Sequence, residues 1–149
     1  MKWDKLMKIV NLMVPIIGVL LMVFYEVCDT SCSALRGSFL DVDLRYVGIF
    51  FMAVLLALNL PLFPPRYAIP VSHLRTMMLA GALGGEILLV RFQIDHDTFC
   101  LFCLAFGLCV LILFAAHIPK MNKYLALGAF LAGLGAFALF FDGSVLSLY

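Results

Sequence analysis

Two pairs of cysteines are the residues of this chain whose type and spacing could support chemistry. Cys28 and Cys32 lie close together in a short polar stretch, whereas Cys100 and Cys103 lie at the start of a long apolar run. Thiols that are close together can form, break and exchange disulfides, and each disulfide formed or broken moves two electrons. The two pairs therefore suggest a device that passes electrons through sulfur.

The pair Cys100 and Cys103 has the spacing of neighbours on one face of a helix. With Asp97 or Thr98 as the N-cap, Cys100 would lie in the first turn, where the helix dipole favours a thiolate nucleophile. The alternative is two packed structural cysteines, because a free cysteine behaves as a small hydrophobic residue. For this pair alone both interpretations stay open, and the fifth cysteine, Cys109, is interpreted as a packing residue.

The pair Cys28 and Cys32 belongs to a polar segment in which a disulfide would be exposed and labile, and therefore suited to exchange. The alternatives are a structural disulfide that fixes the segment and a bridge from it to Cys100. Four thiolates could also bind zinc. However, the spacing of Cys28 and Cys32 is not that of a zinc knuckle, and His96 is the only imidazole near the second pair.

The composition predicts that these cysteines belong to an integral membrane protein. The 149 residues are 65% hydrophobic and 13% charged, with a mean hydropathy of +1.13, whereas soluble domains carry about 25% charged residues. The net charge of +1 gives no indication of a nucleic-acid partner. Five apolar stretches approach the roughly 20 residues that a helix needs to cross a bilayer. They are about residues 6–25, 44–62, 74–91, 99–116 and 124–141.

We therefore predict an all-α membrane protein with a single domain, residues 1–149, and a redox loop at residues 26–43. Lysine and arginine are more frequent in cytoplasmic loops, and a cytoplasmic N-terminus places seven of them inside and three outside. The C-terminus and both cysteine pairs then lie outside the cytoplasm, where disulfides persist. This shared side favours exchange over a structural disulfide for the loop pair, and indicates a multi-pass protein of the inner (plasma) membrane.

The order of these features resembles the vitamin K epoxide reductase family, specifically its bacterial and archaeal members. In that family a loop cysteine pair follows the first helix, a Ser-rich half-helix and a Gly-containing second span come next, and a C-x-x-C pair begins the fourth span. The resemblance covers about residues 28–109. The matching pieces are Cys28, Cys32-Ser33-Ala34-Leu35, Ser38, Tyr46-Val47-Gly48-Ile49-Phe50 and Phe99-Cys100-Leu101-Phe102-Cys103.

The resemblance implies a four-helix bundle around a quinone, with an extra fifth helix, and a thiol:quinone oxidoreductase that drives disulfide formation. Cys28 would take electrons from a reduced thioredoxin-like (DsbA-like) protein outside the cytoplasm, and Cys32 would pass them to Cys100. Cys103 would deliver them to a quinone of the ubiquinone or menaquinone type, and the quinol would leave through the membrane lipid. The partner would be a separate protein, because no thioredoxin-like domain follows the fifth span.

The chain departs from the family at positions that bear on quinone recognition. Gly107 stands where the family often has an aromatic hydroxyl, and Leu44 or Arg45 stands where the vertebrate enzymes have an asparagine. Hydrogen bonding to the quinone is therefore not carried over from the family. A quinone also needs an apolar slot beside Cys103. The residues expected to line that slot are Phe99, Phe102, Phe106, Tyr46, Phe50 and Ser38; the alternative is ordinary packing for the aromatic residues and a helix cap for Ser38.

Glu86 lies inside the third span, where an ionisable side chain is expensive and therefore indicates a role. It could relay a proton, or bond a neighbouring helix in its protonated form, and the sequence favours the second. Small residues in two spans have the spacing that lets helices approach closely. They are Gly81 and Gly85 in the third span and Gly128, Ala132 and Ala136 in the fifth.

A function of a different class also fits the sequence. The chain could be a non-catalytic membrane protein whose cysteines are structural or bind a metal. That alternative predicts stoichiometric zinc or copper in the purified protein, or cysteine-to-alanine variants that retain function.

Overall fold

The computed structural model describes residues 2–27, 35–60 and 64–145. Within these ranges the chain is mostly helical, with five α-helices and three short strands. The helices are α1 (Lys2–Val27), α2 (Leu44–Asn59), α3 (Ala68–Asp95), α4 (Leu101–His117) and α5 (Lys123–Phe140). The strands are β1 (Leu35–Phe39), β2 (Val42–Asp43) and β3 (Phe141–Val145).

Four helical stretches in the described part of the chain are long and apolar enough to cross a membrane, as expected for a predominantly helical membrane protein. They are Lys5–Tyr25, Pro65–Asp95, Leu101–Lys120 and Lys123–Phe140. Helix α2 is also apolar, but it has 16 residues. It is therefore about 24 Å long, which is shorter than the roughly 30 Å hydrocarbon core. Membrane crossing by α2 and the orientation of the chain stay predictions.

The main core is formed by side chains of the first four helices. Helix α1 packs against α2 and α4, α3 packs against α4, and α2 and α3 touch far less. The buried side chains include Met22 of α1, Met52 of α2, Leu79 of α3, and Cys109 and Val110 of α4. The packing role predicted for Cys109 is thus confirmed. Helix α5 has no buried residue, and its main contact is with α3.

Glycines explain why α3 and α5 approach so closely. A Cβ atom on Gly133 would collide with the backbone of Gly81, and one on Gly84 would collide with the backbone carbonyl of Phe130. Small residues let helix backbones meet in this way and gain van der Waals contact. The approach fixes α5 as one wall of the molecule beside α3.

The small-residue prediction is confirmed for α3 and is wrong in part for α5. A Cβ on Gly81 would lie 3.5 Å from the Ala129 carbonyl oxygen, and one on Gly85 would lie 2.7 Å from the Phe137 ring. In contrast, nothing lies within 4 Å of a Cβ on Gly128. The glycine of α5 at the contact is Gly133, because it lies on the helix face that meets α3.

The three strands form an antiparallel sheet in the order β2-β1-β3. Strand β1 pairs along its whole length with β3, from Leu35 opposite Val145 to Phe39 opposite Phe141. Residues 26–43 were predicted as a loop, and no strand was predicted after the fifth span. Residues 35–39 and 141–145 are instead strands, so the end of α5 is tied directly to the segment that precedes α2.

The segment Leu35–Phe39 also differs from the family pattern, which implied a half-helix there. Its extended conformation follows from its partners, because β2 and β3 pair with its backbone on both sides. Leu40 and Asp41 make the turn to β2 with φ values of 53° and 62°. Two left-handed residues are what a two-residue hairpin turn requires, since they match the twist of the strands.

Aromatic contacts hold the sheet on the ends of α3 and α5. The Phe39 ring stacks on Phe137 at 4.7 Å between ring centroids. The Phe141 ring meets Phe92 edge-on at 5.3 Å and lies 6.3 Å from Phe137. The sheet therefore covers the end of the helices at which α1, α3 and α5 finish and α2 and α4 begin, which we call the cysteine end.

Candidate functional site

The turn between α3 and α4 places Cys100 at the start of α4, within the cysteine end. Thr98 turns back towards α3, since its amide donates to the Gln93 carbonyl oxygen at 3.1 Å and its hydroxyl donates to the His96 carbonyl oxygen at 2.9 Å. Asp97 has a left-handed φ of 47°. Helix α4 begins at Leu101 with Cys100 as its N-cap. The prediction of Asp97 or Thr98 as the N-cap is therefore wrong, because both residues are used by the turn.

The sulfur of Cys100 lies at the N-terminus of α4 beside the second cysteine of the pair. The Cys103 amide donates to Cys100 Sγ, with 3.5 Å between nitrogen and sulfur. The positive end of a helix stabilises negative charge, so this position favours a thiolate or a departing sulfur. The sequence predicted that the helix dipole would favour a thiolate at Cys100 in the first turn of α4. Cys100 is instead the N-cap of α4, where the same dipole acts on its sulfur.

A glutamine that the sequence analysis did not single out fixes the Cys100 backbone. Cys100 is fully buried against Tyr25, Phe92 and Phe102. Its amide donates to Gln93 Oε1 at 2.9 Å, and Gln93 is only 4% exposed. A buried amide needs such a partner, because an unsatisfied one costs about 1–3 kcal/mol. The signal that could have indicated Gln93 is a polar side chain at the end of an apolar span, shortly before a cysteine.

A large cavity lies between the helices at the cysteine end, and Cys103 is one of its lining residues. Its volume is about 670 Å³, and described residues of all five helices and all three strands line it. Met22, Val47, Met78 and Phe106 contribute apolar side chains. Pockets of about 300–1,000 Å³ with mostly apolar walls are typical of small-molecule sites. The cavity can therefore hold an apolar ring system beside the Cys103 thiol.

Charged residues line the part of the cavity near the sheet. Asp43 caps α2, since its Oδ1 accepts from the Arg45 amide at 3.0 Å, and its Oδ2 lies 3.6 Å from Arg45 Nη2. The Arg45 guanidinium also lies 4.7 Å from the centre of the Tyr46 ring. Arg36 and Asp43 are exposed. The cavity is thus polar and open to water near the sheet, and its walls are mostly apolar farther along the helices.

Glu86 lines the cavity deeper between the helices, against Gly107 of α4. A Cβ atom on Gly107 would lie 2.8 Å from Glu86 Oε2. The absence of a side chain at Gly107 therefore leaves room for the Glu86 carboxyl group. Among the residues that the structure describes, the Glu86 carboxyl has no hydrogen-bond or ion-pair partner. The hydrogen bond from Glu86 to a neighbouring helix, which the sequence favoured, is absent among the described residues.

The structure brings together some of the predicted quinone contacts and separates others. Phe106 lines the cavity with Cys103. Phe102 does not line it, and its ring instead meets Tyr25 edge-on at 6.3 Å. The remaining three aromatic residues are Phe99, Tyr46 and Phe50, which are 55%, 54% and 71% exposed and lie outside the cavity lining.

Ser38 lies in the sheet rather than in a half-helix. Its hydroxyl donates to the carbonyl oxygen of Asp142 at 3.5 Å, so it supports the pairing of β1 with β3. It is not among the described residues that line the cavity. Ser38 therefore acts here in strand pairing, next to a wall of the site.

Cys28 and Cys32 lie outside the residues that the structure describes, so their predicted part in the electron relay stays a prediction. The described chain approaches Cys100 at the end of α1, where Tyr25 packs against it. Among the described residues, no group of three or more His, Cys, Asp or Glu side chains is placed to hold a metal ion.

Comparisons with the family profiles, the curated proteins and the solved structures find no match for this chain. Function is therefore inferred from the site itself. The site has a cysteine pair at a helix N-terminus, an apolar cavity beside the second cysteine, and an ionisable side chain deeper in that cavity.

Proposed function

We propose that the protein is a membrane thiol:quinone oxidoreductase, as its resemblance to the vitamin K epoxide reductase family implies. The observation that carries the proposal is the position of Cys103, which lines an apolar cavity of about 670 Å³ between membrane helices. Its partner Cys100 is the N-cap of the same helix, where a sulfur can carry negative charge. A redox pair beside a slot for an apolar ring is the arrangement that this reaction needs.

The proposed reaction balances within the cysteine pair. Oxidation of Cys100 and Cys103 breaks two S–H bonds, forms one S–S bond and releases two electrons and two protons. The quinone substrate gains two electrons and two protons and becomes a quinol, so electrons and protons balance overall. Cys103 is the sulfur nearest to the substrate because it lines the cavity, and Cys100 is the buried sulfur that closes the disulfide.

The shape of the cavity supports a substrate that arrives through lipid. Helices α2 and α3 touch far less than the other neighbouring helices of the core. Met77 of α3 lines the cavity and is 48% exposed, and we place the opening to the lipid beside it, between α2 and α3. A lipid-soluble quinone would enter here, and its ring would lie against Met78 and Phe106.

The loop pair would connect this centre to a protein partner. In the proposal Cys28 exchanges with a reduced thioredoxin-like protein, and Cys32 transfers the electrons to Cys100. With the cysteine end outside the cytoplasm, the net result is disulfide formation in proteins beyond the inner membrane. The nearness of Tyr25 to Cys100 supports this route, because it brings the end of α1 to the buried sulfur.

The test uses the purified protein in detergent with a short-tailed ubiquinone or menaquinone and a reduced thioredoxin-like protein. Quinone absorbance and the thiol content of the partner are followed together. We expect one quinol for each disulfide formed, and loss of quinone reduction in Cys103→Ala. Cys109→Ala is the matched control, since Cys109 lies in the core away from the cavity lining. Quinone reduction that is absent in the unmodified protein, or that survives in Cys103→Ala, would contradict the proposal.

A further inference from the structure

The Glu86 side chain lines the cavity deep between the helices. It lies in α3 nine residues before Asp95, the last residue of that helix. This places it about 14 Å along the helix axis from the cysteine end. An ionisable group at such a depth is costly, so its presence indicates a role. No described residue bonds its carboxyl.

Glu86 and Cys103 face the same cavity at two different depths. Gly107, which leaves room for the Glu86 carboxyl, follows Cys103 by one helical turn on the same face of α4. The two reactive groups are therefore offset by about 6 Å along α4. A quinone ring against this face would present one oxygen towards Cys103 and the other towards Glu86.

The remaining ionisable residues of the cavity lining belong to its cysteine end. Tyr25 is near the end of α1, Arg36 is in β1, and Asp43 and Arg45 are at the start of α2. Asp43 and Arg45 already pair with each other. Among the described lining residues, Glu86 is thus the acid that can reach the deeper end of a bound ring.

We propose that Glu86 is the proton donor to the quinone oxygen that lies farther from Cys103, an inference that rests on the proposed thiol:quinone function. The two electrons come from Cys100 and Cys103 as their disulfide forms. One proton reaches the oxygen nearer Cys103 from the thiols, and the other is donated by Glu86. The second thiol proton is released to water at the open end of the cavity. The Glu86 carboxylate then takes up one proton from that water, so the number of protons balances over the cycle.

The experiment compares Glu86→Gln with the unmodified protein and with Asp95→Asn. Glutamine keeps the size and polarity of the side chain but cannot donate a proton to the quinone oxygen as a carboxylic acid does. Asp95 provides the same chemical change on an exposed part of the same helix, in an ion pair with Arg91. Dithiothreitol serves as the electron donor and a short-tailed ubiquinone as the acceptor, so that no protein partner is needed.

We expect Glu86→Gln to slow quinone reduction by about 100-fold or more, the usual contribution of a general acid. The dissociation constant for the quinone, measured separately, should change less than threefold. Glu86→Asp should recover part of the rate, and Asp95→Asn should retain all of it.

Three results would overturn the inference while leaving the redox function intact. The first is an unchanged rate in Glu86→Gln, and the second is a loss of rate in that variant matched by an equal loss of quinone affinity. The third is a Glu86→Gln variant that loses both its rate and its folded state, together with a folded Glu86→Leu variant that keeps full activity. An inactive unmodified protein would instead overturn the proposed function itself, and the role of Glu86 with it.

Discussion

Replacing Gly133 by alanine should separate α3 from α5, whereas the same change at Gly128 should not. The Cβ of an alanine at position 133 would overlap the backbone of Gly81, and a Cβ at position 128 would meet nothing within 4 Å. Both glycines lie in α5. The two substitutions therefore have the same chemistry in the same helix and differ only in what the new methyl group touches.

The magnitude follows from two opposing effects. Overpacking costs about 1–3 kcal/mol, and the upper end applies because the obstructing atoms belong to backbone that cannot rotate away. Alanine in place of glycine returns up to about 1 kcal/mol through helix propensity. We expect Gly133→Ala to lose about 2 kcal/mol and Gly128→Ala to be neutral or slightly stabilised. A loss of about 2 kcal/mol lowers the thermal midpoint by about 4–8 °C at this chain length.

The measurement is the thermal midpoint of helix unfolding by circular dichroism in one detergent. Gly133 also lines the cavity, so quinone binding should weaken in Gly133→Ala even below the unfolding transition. Equal midpoints for the two variants would refute the close packing of α3 on α5. A lower midpoint for Gly128→Ala than for Gly133→Ala would show that the other face of α5 is the packed one.

Three further changes test the walls of the site. Phe106→Leu should weaken quinone binding several-fold in a fluorescence titration, while Phe50→Leu on the outer surface should not; equal effects would contradict the cavity as the binding site. Gln93→Leu strands the buried Cys100 amide and should cost about 1–3 kcal/mol of stability in the same thermal assay; no loss would mean that the amide has another partner. A chain ending at Phe140 lacks β3, and should be cleaved by protease in β1 sooner than the full chain; equal cleavage rates would contradict the pairing.

The sequence predicts the helices well because apolar length is a local property. Residues 124–141 became α5 at Lys123–Phe140, and residues 6–25 lie within the longer α1. The same apolar pattern also indicates which face of each helix is buried. Gly48, Met52 and Leu55 are the buried face of α2. Tyr46 and Phe50 lie four residues apart on a different face of that helix, which explains their exposure.

The parts that the sequence did not predict depend on contacts between distant segments. Strand β1 is formed by pairing with β3, and Ser38 lies opposite Asp142 although more than a hundred residues separate them in the chain. The N-cap of α4 was missed for a related reason. Asp97 and Thr98 have the better capping propensity, but the turn back to Gln93 uses them and leaves Cys100 at the cap.

The most direct test of the central claim is a single turnover without a protein partner. The fully reduced protein is mixed anaerobically with excess short-tailed ubiquinone, and quinol formation and the new disulfide are quantified by absorbance and mass spectrometry. We expect one quinol for each disulfide formed, with Cys100–Cys103 among those disulfides, because each disulfide releases two electrons. Quinol without that disulfide, or equal quinol from Cys103→Ala, would contradict it.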